Sequence, residues 1–336
     1  MRSAPASLRT GPRVRRLLIL LVGLSLLAAC SDVATTTTTA TTTPTVLSVT
    51  GTHEVRDITG LSDAYMPELT AMIGNAYQAG EVSLLTGEQQ LSDPRLSGLA
   101  EITILDCGTP AAGSADAITC SGPSSSWDEA GTWESGVTVH VASDGSMVTE
   151  VAGLGTGAYA HLAWTATERG SGGSFEVTGR VEGRPGTGPI VEPVGEPPPG
   201  ATLITGTSDA TDTGSEWHPG MTHGTQLRGG LWQAVLEASD ERVSGHQFVV
   251  LHLDKTSNPI YMWGVTLLLV EPGKSWYGTF WGTITDTNGT AGTADDLHAL
   301  DEVFTGVGEY AGLEFHSHAE GLADTWDMVG WIDEAD

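Results

Sequence analysis

The sharpest chemical pattern in this chain is His316-Ser317-His318. Side chains on a β-strand alternate in direction, so two imidazoles two residues apart share a face and can converge on one metal or ligand, with Glu314 and Glu320 nearby. An exposed polar strand face has the same composition. Asp286-x-Asn288-Gly289 with Asp295-Asp296, and the looser set Asp209, Asp212 and Glu216, carry the oxygen donors of a calcium loop. The glycine stands two places early for an EF-hand, and turn chemistry accounts for each group. Gly153-x-Gly155-x-Gly157 has phosphate-loop spacing, but a strand pattern follows it and not a helix, which makes these turn glycines. Among ten tryptophans, Trp263, Trp326 and Trp331 fall at strand positions from which they can line a cavity and stack on a sugar or an apolar molecule. Neither a Gly-x-Ser-x-Gly elbow nor a His-Glu-x-x-His helix occurs, so no catalytic residue, cofactor or metal is assigned.

These groups need a compartment and a frame. Residues 1–29 have the three parts of a secretory signal: Arg2, Arg9, Arg13, Arg15 and Arg16, then the apolar run Leu17 to Leu27, then small residues. The run is too short to remain as a membrane-spanning helix. Leu27-Ala28-Ala29-Cys30 resembles the lipobox of bacterial lipoproteins, which implies cleavage before Cys30 and a diacylglycerol on its thiol. Two or three acyl chains give stable anchoring, so the expected location is the extracytoplasmic face of the cell membrane. Residues 30–50, nearly all Thr between Thr35 and Thr43, read as a disordered tether. About 15 extended residues would reach on the order of 50 Å.

The chain carries a net charge of −28, and residues 30–336 keep only nine basic side chains against 42 acidic ones. Such a surface repels nucleic acid and anionic lipid, which excludes both as partners. Beyond Cys30 the only cysteines are Cys107 and Cys120, which in an oxidising compartment are expected to pair. Their spacing is far from that of a redox Cys-x-x-Cys, and two thiols do not complete a zinc shell.

The chain contains an internal repeat. Leu154 to Glu182 aligns without gaps on Thr305 to Asp333, a shift of 151 residues. Gly155, Gly157, Tyr159 and Leu162 face Gly306, Gly308, Tyr310 and Leu313, while Phe175, Val177 and Val181 face Trp326, Met328 and Ile332. In this alignment Thr165 and Thr167 stand where the second copy has His316 and His318, so the fold itself needs no histidine there. Upstream, Ser92-Asp93-Pro94 aligns with Ser257-Asn258-Pro259, and Trp127 and Trp133 with Trp276 and Trp281, once gaps are allowed. The proline-rich segment 184–200 separates the copies as a semi-rigid linker, placing the repeats at 51–183 and 201–336.

Most segments alternate with a period of two, as in Val137-Thr138-Val139-His140-Val141, and Gly, Asn, Asp and Ser clusters separate them at hairpin spacing. Phe248 to Leu253 and Val265 to Val270 read as buried strands, and only Ala64 to Gln78 shows a helical stripe. The fold class is therefore all-β, and two tandem antiparallel barrels hide their edges best.

Ser92-Asp93-Pro94-Arg95-Leu96-Ser97-Gly98, the tryptophan-bearing hairpin after it, and Gly155-x-Gly157-x-Tyr159-Ala160-x-Leu162 resemble uncharacterised secreted bacterial proteins. Those are related to the allene oxide cyclase/dirigent barrel superfamily. The Gly-x-Gly-x-Tyr-x-Gly-Leu pattern is complete in the second copy, whereas His161 replaces its third glycine in the first. The resemblance implies a small antiparallel barrel whose mouth holds an apolar ligand. It does not imply cyclase activity, because no matching catalytic set is present. The expected function is that of a lipid-anchored protein binding a small apolar or glycan ligand, or an envelope partner, through His161, His316, His318, Trp263, Trp326 and Trp331. One alternative is an isomerase or cyclase of a lipophilic substrate, marked by a buried ionisable group inside a barrel. The other is a purely structural envelope protein.

Overall fold

The computed structural model describes residues 46–57, 82–108, 115–184, 190–212, 222–223, 226–287, 296–322 and 325–335. The leader, Cys30, the threonine run and the helical stripe over Ala64 to Gln78 lie outside the described residues.

Eight antiparallel strands close the first barrel: β1 (Leu47–Asp57), β2 (Val82–Leu91), β3 (Ala100–Gly108), β4 (Asp116–Trp127), β5 (Thr132–Ala142), β6 (Met147–Gly155), β7 (Leu162–Ser171) and β8 (Ser174–Gly183). β1 begins inside the segment read as tether. The reason is that Val49 continues the inward alternation and is fully buried, while Leu47 to Glu54 pair with β8 to complete the ring. The second sheet runs through β9 (Ile204–Asp212), β10 (Thr222–His223), β11 (Gln226–Ala238), β12 (Gly245–Asp254), β13 (Ile260–Glu271), β14 (Lys274–Thr285), β15 (Leu297–Gly308), β16 (Leu313–Leu322) and β17 (Thr325–Glu334). β9 pairs with both β17 and β11, so this sheet also returns on itself.

The two sheets share one register. Leu154 pairs with Ala163 and Thr305 with Glu314, and Leu162 pairs with Gly183 and Leu313 with Glu334, in each case 151 residues apart. Farther upstream the pairing corrects two sequence matches. Trp133 pairs with Gly155 and Trp276 with Gly306, so Trp133 corresponds to Trp276, and each stacks on the tyrosine of its own copy, Tyr159 or Tyr310. Ser92-Asp93-Pro94-Arg95-Leu96-Ser97-Gly98 corresponds to Ser239-Asp240-Glu241-Arg242-Val243-Ser244-Gly245 and not to Ser257-Asn258-Pro259. In both loops the aspartate accepts from the backbone and guanidinium of the arginine two residues on. The arginine carbonyl in turn accepts from the indole of Trp133 or Trp276.

The barrels are welded through their outer faces. Val82, Leu84, Ile102, Ile104 and Trp127 of the first pack on Leu231, Phe248, Val250, Val265, Leu267 and Leu269 of the second. This explains the uninterrupted apolar runs in β12 and β13, whose residues are buried inward in their own barrel and outward against the other. Gly229 is needed here: its φ is +68°, and a Cβ would meet the Trp127 ring at 2.3 Å. Asp106 adds polar bonds, accepting from the backbone N–H of Gly273 at 3.1 Å and from Ser275 Oγ at 2.7 Å. Within the segment read as linker, Val191 is buried and the Val194 N–H donates to Asp301.

Candidate functional site

One end of the first barrel is filled by Leu96, Leu99, Trp133, Tyr159, Leu162 and Val181. Beyond this plug lies a cavity of about 410 Å³, within the usual range for a small-molecule site. Its walls are mainly apolar, including Leu85, Leu105, Val137, Val139, Met147 and Phe175. The cross-strand pair Cys107 and Cys120 also lines it, joined by a disulfide.

Three ionisable side chains enter this cavity from alternate strands: His53 on β1, Glu101 on β3 and Glu168 on β7. All are buried. His53 Nδ1 lies 3.0 and 3.1 Å from the two oxygens of Glu168. Its Nε2 lies 3.3 Å from Glu101 Oε2 but has no aligned hydrogen-bond partner among the described residues. Glu101 accepts from Gln89 Nε2 at 2.7 Å, from Thr103 Oγ1 at 3.0 Å and from Ser124 Oγ at 3.4 Å. Space for the imidazole comes from Gly87, where a Cβ would sit 2.1 Å from His53 Nε2.

Burial alone would lower the His53 pKa. The close contact with Glu101, then hydrogen bonding and attraction from Glu168, outweigh it and raise the pKa to about 10. Burial pushes Glu101 the other way, upward, but His53, Gln89 and Thr103 hold its carboxyl below the usual range. The cavity therefore contains an imidazolium clamped between carboxyls under an apolar vault.

The second barrel lacks this arrangement. By register, Ser208 stands at the His53 position, Gln247 at Glu101 and Ala319 at Glu168. Where Gly87 makes room for the ring, the second copy has Ala234. Met262, Phe280 and Leu300 replace Cys120, Val137 and Thr149, and the remaining void is only about 20 Å³. Its buried carboxyl, Glu302, is raised by burial and accepts from Gln247 and Ser317, both at 2.8 Å.

The residues chosen from the sequence lie elsewhere. His161 is exposed at the turn before β7. His316 and His318 do share a face, but it is the outer face of the second barrel. His316 stacks on Trp331 with ring centroids 5.2 Å apart, and His318 Nδ1 lies 2.9 Å from Asp301. Trp326 is part of the second barrel's core, and Trp331 donates to Asp333 on the outside. Trp263 is caught between barrels, donating from Nε1 to Thr132 Oγ1 at 3.1 Å with the Arg228 guanidinium over its ring. Among the described residues no group of three or more His, Cys, Asp or Glu is arranged to hold a metal ion. Of the calcium-loop residues, Glu216, Asn288, Gly289 and Asp295 lie outside the described set.

A second buried set, Ser125, Glu134 and His252, bridges the barrels. His252 Nε2 is 2.8 Å from Ser125 Oγ and 3.3 Å from Glu134 Oε1, and the Gly229 N–H donates to its Nδ1 at 3.3 Å. Hydroxyl and carboxyl meet the same ring nitrogen, so no proton relay from serine through histidine to acid is possible. All three are sealed from solvent, and burial drives His252 well below its usual range, so the imidazole is neutral. These groups fasten the interface. No family model, curated protein or solved structure matches the chain.

Proposed function

We propose that this chain is a ligand-binding protein of the cell envelope, anchored through Cys30, whose first barrel holds a small lipophilic molecule. The observation that carries the reading is the contrast between repeats on one frame: the first keeps a 410 Å³ vault over buried charges, while bulky side chains fill the second. A scaffold alone has no use for a cavity that costs packing energy. The apolar walls favour a lipophile over a glycan, and a closed antiparallel barrel with a cavity agrees with what the allene oxide cyclase/dirigent resemblance implies.

The isomerase or cyclase alternative draws on the same His53 cluster. A general acid works best with a pKa near the operating pH, and a proton held at about 10 is retained more readily than it is delivered. That favours binding over catalysis.

The test fills the vault as the second repeat fills its own. Val137→Phe with Thr149→Leu is expected to weaken binding of a fluorescent apolar probe at least tenfold while thermal unfolding stays within a few degrees of the parent. Unchanged probe binding would place the ligand elsewhere. For the anchor, Cys30→Ser is expected to move the protein from the membrane fraction to the soluble fraction of its host and to abolish labelling by a clickable fatty acid.

A further inference from the structure

The His53 cluster also specifies the ligand's polar end. We propose that the first barrel selects a neutral lipophilic alcohol and refuses the carboxylate of the same skeleton. This rests on the reading of the cavity as a ligand site.

Complementary donors and acceptors decide the head group. His53 Nε2 is a buried nitrogen that faces Glu101 Oε2 at 3.3 Å without the alignment of a hydrogen bond, so a well-placed acceptor can improve on that contact. A hydroxyl oxygen accepts from it. The same hydroxyl has a proton to give, and Glu101 Oε2 is 3.3 Å from Nε2, so one small group can serve both. An ammonium group can donate to the carboxyls but has no lone pair for Nε2–H. A carboxylate can accept from Nε2–H but brings a third acid beside Glu101 and Glu168, with one imidazolium between them and little water to screen the repulsion. Among the described residues the walls supply no further counter-charge, His53 being the one basic side chain that lines the cavity. The second barrel is the internal contrast: with Ser208, Gln247 and Ala319 at these positions it has neither the charged triad nor the space, and Glu302 is the one ionisable group among the described lining of its void.

The experiment titrates the full-length mature protein at neutral pH with 1-decanol, decylamine and decanoate, by calorimetry and by displacement of a fluorescent apolar probe. The alcohol is expected to bind at least tenfold more tightly than decanoate, with the amine between them. Glu168→Gln, which removes one acid and keeps the shape, should narrow the gap between alcohol and carboxylate. Decanoate binding as tightly as decanol would overturn the head-group assignment and leave the cavity as a site for lipophiles. Failure of all three compounds and of the fluorescent probe to bind would overturn the cavity reading itself.

Discussion

At the scale of single residues, three side chains decide what the first barrel is, and each could be read from the sequence only in part. Glu168 lies in phase with Leu162, Trp164 and Ala166, so strict alternation already sends an acid to the core face of β7. His53 falls in phase with Val49 and Val55 in the same way. Glu101 was hidden, because its neighbours Ile102 and Ile104 make the opposite face look like the interior. That face is indeed buried, but against the other barrel. The cluster has a measurable signature. The imidazole titrates near 6.5 in the unfolded chain and near 10 in the folded one, so the folded state binds more protons between these values. Its contribution is complete below pH 6.5 and is lost as pH rises through about 10, roughly 5 kcal/mol in all. Glu101, held low, loses its own contribution as pH falls through the acid range. Urea unfolding from pH 6.5 to 10 should show this alkaline decline in the parent and a flatter profile in His53→Gln. Equal slopes would mean that the ring is not charged in the fold.

Among the elements, hairpins and barrel closure were legible because alternation and turn residues are local signals. The long-range register was legible only where the copies align without gaps. The loop Ser92 to Gly98 shows why the rest was missed. Its true counterpart, Ser239 to Gly245, keeps the serines, aspartate, arginine and glycine, yet the proline in Ser257-Asn258-Pro259 was the louder match. What both loops conserve is a hydrogen-bond circuit: aspartate to arginine, arginine carbonyl to indole, serine to the first strand. Ser92 and Ser239 accept from the N–H of Thr50 and Thr205 at 3.1 and 3.0 Å. Asp93→Ala removes a mostly buried carboxylate that holds Arg95, and should cost about 2 kcal/mol, the usual value for hydrogen bonds to a charged group. A melting temperature unchanged from the parent would show that the loop is held by packing alone.

On the scale of the whole molecule, the repeat gives one hollow copy and one filled copy, and the filled one covers an apolar flank of the hollow one. The sequence signalled the duplication but not the weld, because covering an outer face leaves no periodic trace apart from runs that look doubly buried. Glu134, sealed between the barrels, reports on that weld. Burial raises its pKa to about 7, against weaker opposing contacts from Thr132, Ser125 and Arg228. The unfolded chain releases this proton near pH 4.5 and the folded one only near 7, so stability falls across that window by something on the order of 3 kcal/mol and is level above it. Glu134→Gln should remove this decline, measured as the difference between unfolding free energies at pH 5 and 7. A decline that persists in the variant would assign it to another group.

Strand β3 has no idle side. Ile102 and Ile104 press on the neighbouring barrel while Glu101, Thr103 and Leu105 wall the vault, and one ribbon of backbone carries both sets. Anything that strains this ribbon from within is felt at the seam, and anything that levers the seam open disturbs the charged floor. The two events are thermodynamically reciprocal: whatever factor occupancy imposes on docking, docking imposes on occupancy. On the proposed reading, a guest in the first barrel would also bear on how firmly the two barrels hold together.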